Sequence, residues 1–91
     1  MKLDDALFNW LQIKLVADDR PEDRAALETL RFFEQILLED HGLQSFAIGK
    51  RDDTMYHITY VIDNRTKTSM FDREAAERLL ADIRANPKYN E

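Results

Sequence analysis

The chain has 91 residues, 44% of them hydrophobic, with two glycines, no cysteine and a formal net charge of −5. That leaves room for one domain, residues 1–91, around one apolar core, and it excludes disulfides, thiolate metal sites and cysteine nucleophiles. No apolar run reaches the ~18 residues of a membrane-spanning helix, and the acids of Met1-Lys2-Leu3-Asp4-Asp5 do not suit a secretory signal, so a cytoplasmic protein is expected.

The charge is unevenly placed. Residues 1–41 hold ten acids against five bases, whereas eight of each follow from Gly42 onward. A chain acidic in this way repels nucleic acid and anionic lipid unless it gathers positive charge on one surface.

Two helices are expected first. Asp4 has the character of an N-cap, with Leu3 and Phe8 at the spacing of a hydrophobic staple, so the first helix spans about residues 5–17. Leu3, Leu7, Phe8, Leu11 and Leu15 fill one arc of its wheel, and Ala6, Trp10, Ile13 and Ala17 fill a second. Asp19 and Glu22 have capping-box spacing around Pro21, which a first helical turn tolerates, so the second helix spans about residues 21–40. Gly42 supplies a left-handed C-cap with His41 beside it. This helix also has two stripes, a main one of Ala26, Leu27, Leu30, Phe33, Leu37 and Leu38 and a second of Ala25, Thr29, Phe32 and Ile36, which marks it as the central pillar.

Beyond Gly42 the hydrophobic period becomes strict alternation. Strands are expected over about residues 45–50, 55–62 and 66–71, joined by the polar turns Arg51-Asp52-Asp53 and Asp63-Asn64-Arg65. Tyr56, Ile58, Tyr60 and Ile62 share one face, so the two tyrosines read as core residues. The period then returns to helical, with Asp72 as N-cap, a helix over 73–85 and a stop at Pro87 before a frayed tail. The result is an α+β fold of order ααβββα in two layers, with a helical hairpin and C-terminal helix on one face of a three-stranded antiparallel meander.

Catalytic spacings are missing. His41 and His57 lie on different elements without a metal-binding spacing, Ser45 and Ser69 sit in no nucleophile motif, and two glycines cannot build a phosphate loop. The pairs Asp18/Asp19 and Asp52/Asp53 fall at a helix start and a turn, where acids cap and solvate. No catalytic residue, cofactor or metal is expected, and an enzyme is not.

Residues 21–84 run helix, three strands, helix, an order that resembles the double-stranded RNA-binding domain. In that family a lysine-rich start to the final helix meets RNA phosphates and the minor groove is read largely by shape. The resemblance implies nucleic-acid contacts by Lys50 and Arg51 in one strand turn, Arg65 and Lys67 in the next, and Arg73 at the final helix. That helix opens Asp72-Arg73-Glu74-Ala75-Ala76-Glu77-Arg78, which alternates in sign, so this is the secondary expectation. The leading one is a small non-enzymatic protein of bacterial type that works by protein contact, as a homodimer or an adaptor. Trp10 and Ile13, flanked by the small Ala6 and Ala17, are its expected apolar anchors, because tryptophan is enriched in interface hot spots.

Overall fold

The structure, a computed structural model, describes residues 1–86. Helix α1 spans Leu3–Asp19 and α2 spans Arg24–Gln35, continuing as a π-helical turn over Ile36–Asp40. Strands β1 (Ser45–Arg51), β2 (Met55–Ile62) and β3 (Arg65–Asp72) follow, and α3 spans Arg73–Ala85. The α+β order ααβββα is as expected. The stop at Pro87 and the tail lie outside the described residues.

Helix ends are where local chemistry was decided. The α3 cap is as read, with the Asp72 carboxylate accepting the Ala75 N–H at 2.8 Å. Helix α1 starts two residues earlier than expected: the Ala6 N–H already reaches the Lys2 carbonyl at 2.9 Å, so Asp4 lies inside the first turn and not at the cap. There its charge still favours the positive end of the helix dipole. The α2 cap is Asp23 instead of Asp19; Asp23 accepts the Ala26 N–H at 3.1 Å and pairs with Arg20 at 3.2 Å. Asp19 is unavailable because it completes the last turn of α1 and pairs with Arg84 of α3. At the far end Gly42 adopts φ 67°, and the Leu43 N–H returns to the Leu37 carbonyl at 3.0 Å. Left-handed backbone of this kind suits glycine.

The sheet has order β1-β2-β3 with both pairings antiparallel. Phe46 faces Tyr60 and Ile48 faces Ile58 across β1 and β2, then the register slips by one residue at Gly49. A Cβ built on Gly49 lies 2.5 Å from the Thr59 hydroxyl, so the bulge accepts no larger residue without movement there. The β2–β3 hairpin turns on Asp63 and Asn64, both at positive φ, as a two-residue turn requires.

One face of the sheet carries the core. Tyr56, Ile58 and Tyr60 are buried beneath the helices, with Phe46, Ile48, Ile62 and Phe71 packed around them. Helix α1 contributes seven buried residues and α2 two. The central pillar is therefore α1 and not α2, because α1 lies against both α2 and α3 while also covering the sheet.

Candidate functional site

The stripe expected to anchor a partner is interior. Ala6, Trp10, Ile13 and Ala17 are all buried in the monomer, Trp10 to 2% exposure. The Trp10 indole N–H donates to Glu34 of α2 at 3.2 Å, and its ring stands edge-on to Phe46 of β1 with centroids 5.3 Å apart. The expectation of an exposed anchor here does not hold, because a helix with neighbours on three sides needs apolar residues nearly all the way round.

The five bases of the nucleic-acid expectation are divided by the meander. Lys50 and Arg51 end β1, with Arg73 beside them at the start of α3, whereas Arg65 and Lys67 begin β3 at the opposite end of the sheet. Eight residues of β2 separate the two ends, roughly 24 Å at ~3.4 Å per residue. Lys50 sits opposite His57 and Lys67 opposite Tyr60, which places them on different faces. Arg73 is also committed: it donates to the Asp52 carbonyl at 2.9 Å and to Glu77 at 3.2 Å, with its guanidinium 5.5 Å from the Tyr56 ring centroid. No single basic surface results.

Around Tyr56 the charges settle one another. Its hydroxyl donates to Glu77, which holds that carboxyl below its usual range, with Arg73 adding to the effect. Burial pushes the Tyr56 hydroxyl up, and Glu77 pushes it further. The phenol thus stays a donor and Glu77 an ionised acceptor.

His57 meets a carboxylate, but as part of a turn clamp. Its Nε2 lies 2.8 Å from Asp52 Oδ2, while Oδ1 accepts the N–H groups of Thr54 at 3.0 Å and Met55 at 2.7 Å. These contacts, that with His57 foremost, hold the Asp52 carboxyl well below the ordinary carboxylate range. No nucleophile stands next to the pair, since Ser69 faces Ile58 on the other side of the sheet and Ser45 pairs with Val61 near the far end of β2. His41 is at that far end too, close to Gln44, whose N–H reaches the Val61 carbonyl; its Nε2 is buried without a hydrogen-bond partner. Among the described residues no group of three His, Cys, Asp or Glu side chains is placed to hold a metal ion. None of their helices is long and apolar enough to cross a membrane.

An apolar face does remain open, on α2. Ala25, Thr29 and Phe32 of its second stripe are exposed and Ile36 is half-buried. Phe32 is 57% exposed, its ring edge-on to Phe33, which packs on the core. Beside it Phe32, Gln35, Ile36, Glu39 and Asp40 line a hollow of about 220 Å³. The π-helical turn also separates two neighbours, burying Leu37 and leaving Leu38 49% exposed. The α2 wheel contained this stripe, yet a wheel alone cannot say which of two striped helices has neighbours on both sides.

Comparison of the chain with protein-family models, with curated proteins and with solved structures finds no match in any of the three.

Proposed function

We propose that the protein is a small non-enzymatic cytoplasmic protein that works by protein contact, as a homodimer or as an adaptor for another protein, through the Phe32 face of α2. The observation that carries this reading is the 57% exposure of Phe32, on a helix stripe that no other element covers among the described residues. Large aromatic side chains supply much of the energy at protein interfaces when a partner desolvates them. The acids Glu39 and Asp40 that rim the hollow support a protein partner over a nucleic acid, whose phosphates they repel. The π-helical turn at the same place adds support, since such bulges are frequent at functional sites. The reading involves no cofactor and no metal.

Size-exclusion chromatography with light scattering, paired with affinity capture on the full chain, tests it. The wild type should run as a dimer or retain a partner that Phe32→Ser loses while staying folded. A folded wild-type monomer that captures nothing contradicts the reading.

A further inference from the structure

The open stripe of α2 has the spacing of a helix-pairing seam. Ala25, Thr29, Phe32 and Ile36 follow at steps of four, three and four residues, the a and d positions of a heptad, and the first three are exposed. The Thr29 hydroxyl donates to the Ala25 carbonyl at 2.9 Å, so the seam brings no unsatisfied side-chain polar group to a contact. It ends where the π-helical turn begins at Ile36, with Glu39 and Asp40 beyond. Its two N-terminal side chains are small and its two C-terminal ones are large.

That order is complementary to itself when a second copy runs antiparallel. Facing layers of such a pair join an a position to a d position, so Ala25 meets Ile36 of the second copy and Thr29 meets its Phe32, each twice by symmetry. Every large side chain then lies on a small one, which fills space without overpacking. A parallel pair puts Phe32 on Phe32 and Ala25 on Ala25, and it stacks Glu39 and Asp40 of the two copies together.

Charge points the same way. Arg20 and Asp23 settle each other at 3.2 Å and Glu22 lies in the turn before the helix, which leaves Arg24 as the charge on the first turn of α2. Arg24 is exposed and forms no ion pair among the described residues, with Glu28 one turn along included. At the other end Glu39 is exposed, accepts from the neutral Gln35 at 2.8 Å, and rims with Asp40 the hollow of about 220 Å³ beside Phe32. The antiparallel register brings Arg24 of each copy to this acid-rimmed hollow of the other, on the same flank of the seam.

We infer, resting on the reading of the Phe32 face as an interface, that its occupant is a second copy of this chain. The two copies form an antiparallel α2–α2 pair about a two-fold axis between Thr29 and Phe32, with Arg24 of each beside Glu39 of the other. The helix is already formed in the monomer, so pairing orders little of the chain. One helix pair covers less than the ~800 Å² per partner of a standard interface, so the dimer is of micromolar strength.

Sedimentation equilibrium of the full chain, from micromolar to millimolar, should show a monomer–dimer equilibrium that Phe32→Ser abolishes. Arg24→Glu should weaken it roughly tenfold, since it turns two symmetric attractions into repulsions, and Arg24→Glu with Glu39→Arg should restore it. Rescue within one chain is specific to a second copy. The chain has no cysteine, so disulfide trapping reads the orientation: Ala25→Cys mixed with Ile36→Cys should cross-link, and neither variant alone should. A wild type that stays monomeric at millimolar concentration yet captures a partner through Phe32 overturns the second copy and leaves the interface reading standing. A dimer lost with Phe32→Ser that lacks the mixed cross-link, is trapped by Ala25→Cys alone, keeps its affinity in Arg24→Glu, or is not restored by the double swap overturns the antiparallel pair alone. A dimer untouched by Phe32→Ser, or a monomer without a partner, overturns both.

Discussion

Helices α1 and α2 have the same kind of sequence, two apolar stripes each, and opposite surroundings. In α1 both stripes are interior, because α2, α3 and the sheet surround it. In α2 one stripe meets α1 and the other, ending in Phe32 and Ile36, meets solvent. The difference teaches that apolar periodicity counts the faces a helix can bury, whereas the packing decides how many of them find a neighbour within the chain.

The sharpest break of this comparison is Trp10→Ala against Phe32→Ser. Trp10 fills the space between α2 and β1, so its removal should cost about 3–5 kcal/mol of unfolding free energy in urea, while the exposed Phe32 should change stability by under ~0.5 kcal/mol. Equal losses from the two would place both stripes in one environment. A finer version uses adjacent residues on the π-helical turn. Leu37→Ala should cost about 2–4 kcal/mol and Leu38→Ala less than ~0.5 kcal/mol, read in the same denaturation experiment. Similar values would mean that the turn does not separate their side chains.

The smallest expected effect is one of pH and lies away from both helices. Asp52 has its carboxyl pulled below the ordinary value of ~3.9, so it titrates lower folded than unfolded. Its stabilisation is complete above about pH 4 and is lost as pH falls through that window. Asp52→Ala should therefore flatten the acid limb of stability measured between about pH 5 and pH 2. An acid limb unchanged by the substitution removes the turn clamp from the account.

Much of this architecture is legible in the residues. The alternation from Met55 to Ile62 gives β2 its observed bounds, and Asp72 marks the start of α3, because each signal is local and unopposed. The start of α2 was not legible, since Asp19 has capping-box spacing with Glu22, whereas the observed cap is Asp23 because Asp19 completes α1 and reaches Arg84, 65 residues away. The π-helical turn shifts the wheel over only five residues, too few to disturb a period. At Gly49 a glycine inside a strand did carry the signal of a bulge, and its contact with Thr59 explains it. The open α2 stripe was visible as a stripe and invisible as a surface, because the identity of the central helix is a property of the whole packing.

Trp10 is the single tryptophan in the chain, so its fluorescence reports on the covered stripe of α1 without interference. In a sample shown by light scattering to be monomeric, the account predicts blue-shifted emission, weak quenching by acrylamide, and a shift to the red only on unfolding. Solvent-like emission with ready quenching in the folded monomer would contradict it and return the open face to α1.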